Sequence, residues 1–137
     1  MMRMEIVFPG NRKIAAKFRD FEVMTDQPVS QGGDNTAPAP FELFLASLGT
    51  CAGIFIKSFC LQRNLSTDDM KIIQEVERGP EMGLLDKIKL EIQVPPDFPE
   101  QYKPALINSA NLCSVKKVIQ NPPDFEIQVK TVRPDGV

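Results

Sequence analysis

Three cysteines, Cys51, Cys60 and Cys113, are the residues best suited to chemistry in this chain of 137 residues, which contains no histidine. The absence of histidine excludes Ser-His-Asp and Cys-His catalysis and most zinc sites. The cysteine spacings match no C-x-x-C or zinc-knuckle motif, and an odd number is atypical of a secreted disulfide framework. We therefore expect reduced thiols in a cytoplasmic protein, no bound metal, and a nucleophile activated without an imidazole.

Cys51 stands among small residues, with Gly49 and Gly53 on either side of it. Each glycine in a helix interior costs about 1 kcal/mol relative to alanine, so this pair predicts a close approach by another element. Two interpretations of Cys51 remain open, a reactive thiol and a small side chain packed beneath a crossing helix. Cys60 follows on the opposite face of the same predicted helix, and we interpret it as a core residue.

Cys113 falls in the first turn of a short predicted helix that has Asn111 as its N-cap. The helix dipole favours a thiolate there, and Lys116 and Lys117 add positive potential one turn later. Cys113 lies about 150° from the apolar stripe of this helix, so we expect it off the main core face. A reactive thiol and an ordinary exposed residue both remain open. The stripe consists of Leu112, Val115, Val118 and Ile119.

The hydrophobic pattern predicts one α+β domain over 1–137, without an internal repeat. A loop rich in glycine and proline occupies 27–40, and its last proline suits the first turn of a helix. Asn64 supplies the left-handed residue that ends this helix, residues 79–83 turn a hairpin, and the tail after Arg133 is loose. The predicted strands are 3–8, 13–18, 21–25, 70–78, 88–94 and 125–129, and the predicted helices are 41–63, 100–110 and 112–120.

The helix over 41–63 is apolar on nearly every face, which implies burial all round. One small sheet covers only one face of a helix, so the other faces need either the second helical pair or a second subunit. We infer a homodimer with this helix near the interface. Between Glu42 and Lys57 the uncharged stretch has 14 residues, fewer than the roughly 18–20 that span a bilayer, and we expect no membrane span.

The net charge and the N-terminal sequence limit which binding partners and which cellular compartment we expect. Sixteen Lys and Arg against eighteen Asp and Glu give a formal net charge of -2, so no overall basic field attracts nucleic acid. The segment 1–8 has a charge inside its first apolar run and no small-residue cleavage site, unlike a signal peptide. We therefore expect a cytoplasmic protein that does not bind nucleic acid.

Four segments of the chain form a recognisable set: T-D-Q-P, G-G-D-N, A-P-F-E-L-F-L-A-S-L-G-T-C-A and N-L-C-S-V-K-K-V-I. Over nearly the whole chain, the sequence resembles the OsmC/Ohr family of thiol-dependent hydroperoxide reductases, and in particular its less characterised OsmC-like branches. The resemblance implies an α+β fold with antiparallel sheets wrapped around a long buried central helix. It also implies an interlocked homodimer with two active sites at the interface.

By this resemblance, Cys51 is the thiolate that attacks the O–O bond of an organic hydroperoxide and becomes a sulfenic acid. Hydrogen peroxide is a second candidate substrate. Cys113 then condenses with the sulfenic acid to form a Cys51–Cys113 disulfide. A dithiol reductant, in this family typically a lipoyl-bearing protein, reopens the disulfide, and no resident cofactor is implied.

The resemblance also assigns supporting residues, with two departures from the family. Arg12 best matches an arginine of an early hairpin that assists the thiolate, and Arg19 is the second candidate. The glutamate that normally follows the helix-starting proline is replaced by Phe41, and the carboxylate comes one position later, at Glu42. This carboxylate faces away from Cys51, and its alternative role is to stabilise the helix dipole.

The second departure is Ser114, which follows Cys113 where the family commonly has proline. Two further functions therefore remain open beside the peroxidase. One is a non-catalytic OsmC-like dimer that binds a small hydrophobic ligand or senses redox state. The other is a purely structural dimer.

Overall fold

The computed structural model describes residues 1–81 and 83–134, and its first part is an antiparallel meander of three strands. These strands are β1 (Glu5–Gly10), β2 (Lys13–Phe18) and β3 (Phe21–Thr25). Asn11 and Arg19 turn the chain between them in the left-handed region, with φ of 47° and 51°. The predicted meander is confirmed, although β1 continues through Pro9, which was expected in the turn.

The loop after β3 is held by the buried carboxylate of Asp26. Its Oδ1 accepts a hydrogen bond from the Gln27 N–H (2.8 Å), and its Oδ2 accepts from the N–H and hydroxyl of Thr36 (3.0 and 2.7 Å). The Asp26 N–H donates to the carbonyl of Pro38 at 3.1 Å. The loop is irregular as predicted, apart from one 3-10 turn at Val29–Gln31.

The long helix α1 (Pro40–Gln62) begins and ends as its sequence predicts. Proline occupies its first position, where no N–H is needed, and the Glu42 carboxylate accepts a hydrogen bond from the Ala39 N–H at 2.9 Å. Asn64 follows the helix in the left-handed conformation, with φ of 54°. Local chemistry therefore defines both boundaries of α1.

The second half of the chain packs against α1. It consists of the antiparallel hairpin β4 (Lys71–Arg78) and β5 (Leu85–Gln93), then α2 (Lys103–Ala110) and α3 (Ser114–Gln120). A 3-10 turn at Glu100–Tyr102 leads into α2. Both predicted helices and both strands are confirmed, with β5 beginning three residues earlier than expected. The main core cluster comprises Ile56, Phe59, Cys60, Phe98 and Leu106.

Burial of α1 on every face is wrong for the single chain. One face packs against β4, α2 and α3, but Ile54 and Leu61 on the other side remain 60% and 62% exposed. By length and composition α1 could also cross a membrane, a test that the core helix of a globular protein passes as well. Its packed face has the contacts of such a core helix.

The predicted strand over 125–129 is also wrong for the single chain. Phe125, Ile127 and Val129 keep the alternation of a strand but are 85%, 92% and 98% exposed. No strand of either described sheet pairs with this segment, so its backbone has no ladder to join. Met82, in the predicted hairpin turn, and 135–137, in the predicted loose tail, lie outside the described residues.

Replacing Asp26 with asparagine is expected to lower the Tm by about 4 °C or more, because an amide NH₂ cannot accept the loop's N–H groups. The hydrogen bonds, first that of the Thr36 hydroxyl, hold the pKa of Asp26 well below its usual range. A depressed folded-state pKa stabilises the fold above the unfolded pKa and ceases to do so as the pH falls through the folded value. The wild type should therefore lose Tm below about pH 4 more steeply than the variant.

Thermal denaturation of the wild type, Asp26→Asn and Asp124→Asn across pH 2.5–7 checks this prediction. Asp124 is an exposed acid outside the loop and serves as the matched control. Equal acid dependence in the wild type and Asp26→Asn would contradict it.

Candidate functional site

Cys51, in the middle of α1, and Cys113, just before α3, lie next to each other. The Cys113 side chain is among the groups that lower the pKa of the Cys51 thiol, so the two side chains are neighbours. The Cys113 Sγ also lies 3.8 Å from the carbonyl oxygen of Leu48, one turn earlier in α1, to which it donates. All three cysteines of the chain are free thiols. The fold therefore brings together the two cysteines to which the family resemblance assigns chemistry.

The environment of Cys51 favours its thiolate. The N–H of Val115 donates a hydrogen bond to the sulfur and is the largest cause of a lowered pKa. Partial burial opposes this shift, while Cys113 and the N–H and hydroxyl of Ser114 reinforce it. Several donors converge on one half-buried sulfur, an arrangement that stabilises negative charge without any cation.

The expected position of Cys113 requires correction. Cys113 is itself the N-cap of α3, and its Sγ accepts a hydrogen bond from the Lys116 N–H at 3.5 Å, whereas Asn111 ends α2. Its backbone is extended (φ -49°, ψ 121°), so α3 starts two residues later than predicted. The side chain turns inward toward α1 and is 3% exposed. The predicted stripe is not the core face, since Val118 is 54% exposed and Val115 is only half-buried.

The glycines beside Cys51 accommodate a strand and not a second helix. A Cβ on Gly49 would lie 2.5 Å from Oε1 of Gln74 in β4, and the Nε2 of this glutamine donates to the Leu45 carbonyl at 2.8 Å. The predicted close approach is therefore confirmed. Cys60 faces the core as predicted, and burial raises the pKa of its thiol.

The three supporting candidates lie apart from the thiol pair. Arg12 occupies the turn between β1 and β2, where its Nε approaches Gly32, and it is not among the groups that shift the pKa of Cys51. Arg19 stacks over the ring of Phe21, with 4.9 Å to the centroid. Glu42 is engaged at the start of α1, which matches its alternative structural role.

Sequence reasoning did not anticipate the donors that surround Cys51. They come from the backbone of Val115 and from Ser114, and a backbone N–H has no signature in a side-chain pattern. One signal was present, because the serine that replaces the family's proline restores an N–H and adds a hydroxyl. A departure from the motif therefore falls directly at the site.

Comparison with known proteins identifies the family of this chain. The family model described as OsmC-like protein matches residues 32–128. The chain therefore belongs to the OsmC-like protein family. A search of curated proteins finds no match to it.

Solved structures show the same fold at low sequence identity. A Psychrobacter arcticus protein named for osmotic stress induction and detoxification gives a TM-score of 0.72 at 18% identity, covering 85% of this chain and 87% of its own. The Legionella pneumophila organic hydroperoxide resistance protein OsmC gives a TM-score of 0.57 at 18% identity, covering 88% of this chain and 89% of its own. An organic hydroperoxide resistance protein from Elizabethkingia anophelis gives a TM-score of 0.60 at 19% identity, covering 88% of this chain and 89% of its own. The TM-scores and the coverage establish a shared fold. At such low identities, the activity has to be argued from the site itself.

Ser114 provides a direct test of the donor arrangement. Ser114→Ala removes the hydroxyl, and Ser114→Pro removes the N–H as well, in a position where the extended backbone of Cys113 accommodates proline. We expect the pKa of Cys51 to rise in both variants, and to rise further with proline, which removes two donors instead of one. The measurement is the pH profile of Cys51 alkylation by iodoacetamide, followed by peptide mass spectrometry. Ser109→Ala, in α2, is the matched control, and unchanged profiles for both Ser114 variants would contradict the prediction.

Proposed function

We propose that the protein is a thiol-dependent peroxidase that reduces organic hydroperoxides, with hydrogen peroxide as a second substrate. In this proposal Cys51 is the nucleophile and Cys113 is the resolving thiol. The observation that carries it is the placement of Cys113 against α1 beside Cys51, with its Sγ 3.8 Å from the Leu48 carbonyl one turn earlier, together with a Cys51 pKa that is held below its ordinary value. The similar Legionella and Elizabethkingia proteins are named for organic hydroperoxide resistance, which supports the same substrate class.

The two cysteines suit different steps because their hydrogen bonds differ. Cys51 accepts from the backbone N–H groups at the start of α3, as a thiolate requires. Cys113 donates its proton to the Leu48 carbonyl, as a protonated thiol does. The attacking sulfur is therefore the one whose surroundings favour the thiolate.

The chemistry balances with these two residues and one reductant. The Cys51 thiolate attacks the distal oxygen of ROOH, the O–O bond breaks, and RO⁻ leaves and takes up a proton as ROH. The Cys113 sulfur attacks the sulfenic acid, which forms the disulfide and releases water. A dithiol reductant of the lipoyl type reopens the disulfide and becomes a disulfide itself. We place this cycle in the cytoplasm, where such reductants keep thiols reduced.

The acting unit that we propose is a homodimer. The uncovered face of α1 presents the large apolar side chains of Ile54 and Leu61 to solvent, and a partner that covers them would remove this apolar surface from water. The apolar side chains of the alternating segment 125–129 are also exposed. Both described sheets have open edges that a strand can join. A second copy that covers α1 and pairs with this segment satisfies both features.

The same dimer gives Arg12 a route to Cys51. Within its own chain the guanidinium lies against Gly32, in a sheet that has at most marginal contact with α1. We propose that Arg12 reaches the site of the partner subunit and stabilises the thiolate there.

Single-turnover thiol counting tests the peroxidase directly. One equivalent of cumene hydroperoxide is expected to remove two of the three thiols of the reduced protein, with a disulfide that maps to Cys51 and Cys113. Cys51→Ser should lower this loss to the background rate. Cys60→Ala is the matched control and should lose thiols like the wild type, because its thiol lies in the core.

Equal loss in Cys51→Ser and Cys60→Ala would overturn the proposed roles. No loss in the wild type within minutes would favour the non-catalytic, ligand-binding dimer instead. Cys113→Ser separates the two steps, because its Cys51 sulfenic acid should persist and react with dimedone.

Mixed dimers test whether Arg12 acts across the interface. Arg12→Met and Cys51→Ser are each expected to be nearly inactive as homodimers. Their mixed dimer has one site with Cys51 from one chain and Arg12 from the other, so it should regain about half of the wild-type activity. Co-expressed chains with different affinity tags provide this dimer for a peroxidase assay.

A mixed dimer that stays inactive would contradict action across the interface, because neither site is complete if Arg12 serves its own chain. Arg19→Met is the matched arginine control. Its side chain stacks on Phe21, and we expect activity close to that of the wild type.

A further inference from the structure

A cavity of about 390 Å³ lies between the inner face of β5 and the helices, on the side of Cys113 and not of Cys51. Its size is within the range of ligand-binding pockets, about 300–1,000 Å³. Most of its wall is apolar and comes from all three helices and β5. The apolar lining includes Leu48, Ile88, Leu90, Ile92, Ile107 and Ile119.

The strand wall follows from the alternation of β5. Ile88, Leu90 and Ile92 are half-buried on the inner face, while Lys89 and Glu91 between them point to solvent. The cavity therefore offers one continuous apolar surface, suited to an alkyl chain.

The polar lining contains a positive charge with no acidic partner. Lys116 is half-buried and is the only charged residue among the described residues that line the cavity. Its ammonium group donates to the Asn111 side-chain oxygen at 2.8 Å, and no carboxylate within residues 1–81 and 83–134 forms an ion pair with it. An amide oxygen satisfies one of the three ammonium donors and none of the charge.

We propose that this cavity binds an apolar molecule with a single carboxylate, its chain against β5 and its carboxylate on Lys116. A neutral ligand would leave the lysine uncompensated, whereas an anionic group gains a charge-assisted hydrogen bond in partly desolvated surroundings. Because Cys113 lines the same cavity, the bound molecule covers its sulfur and leaves Cys51 uncovered. The site shares Cys113 with the proposed peroxidase, but binding of the ligand does not require that activity.

Paired ligands and paired lysines test the site. Octanoate and 1-octanol have the same chain length and differ in charge, and titration calorimetry of the reduced homogeneous protein measures both. We expect Lys116→Met to weaken octanoate binding about tenfold and to leave octanol binding unchanged, since methionine keeps the apolar stem. Lys117→Met, an exposed neighbour that does not line the cavity, should bind both like the wild type.

A second variant and a chemical readout locate the ligand. Leu90→Phe fills part of the cavity and should weaken both ligands, whatever their charge. Saturating octanoate should slow the alkylation of Cys113 by N-ethylmaleimide and leave that of Cys51 unchanged. Absence of octanoate binding to the wild type, equal effects of the two lysine variants, or equal protection of both cysteines would each overturn the proposal.

Discussion

The contact between the middle of α1 and the first turn of α3 is the constraint on which the rest of the structure depends. This contact is polar and lies within an otherwise apolar layer. The Cys113 sulfur faces the Leu48 carbonyl, and the N–H groups of Ser114 and Val115 face the Cys51 sulfur. Hydrogen bonds in such surroundings are strong when every partner is present and costly when one is missing. The elements around it keep those partners in place. Gly49 lets Gln74 bond to the backbone of α1, which ties β4 to the same stretch of helix.

The single chain divides into a part built around α1 and a meander that stands beside it. The loop between them is organised by Asp26, and Lys13 adds an ion pair of 2.6 Å from β2 to Asp34 in that loop. These polar links fix the meander to its own loop and leave the outer face of α1 open. This outer face includes the exposed side chains of Ile54 and Leu61. The homodimer proposed above would cover it, and association would then add to the stability of a chain whose own core is small.

Much of the fold followed from the sequence because its signals are local. Alternation gave β2, β3 and β5, proline and Asn64 bounded α1, and the glycines around Cys51 predicted a close neighbour. One error concerns long-range information. The residues 125–129 alternate like a strand, but pairing needs an edge that this chain alone does not supply. The error at Cys113 is local: helical angles were counted from Asn111, but the helix begins two residues later, so Cys113 becomes the N-cap and its side chain turns inward. At the site, the two cysteines were identified through the family motif. The backbone donors were not, because every residue except proline carries the same N–H.

The sulfur of Cys113 has a structural duty as well as a proposed chemical one, since it caps α3 and holds it to α1. A sulfur bonded in a disulfide has no proton to donate to Leu48, so oxidation removes one of these anchors. If Cys113 forms the proposed disulfide, the folding energy of α3 favours the reduced form, and by thermodynamic linkage that disulfide is the more readily reduced. Under the proposed cycle, the order of the seven residues of α3 would then depend on the redox state of the surrounding thiols through the single sulfur of Cys113.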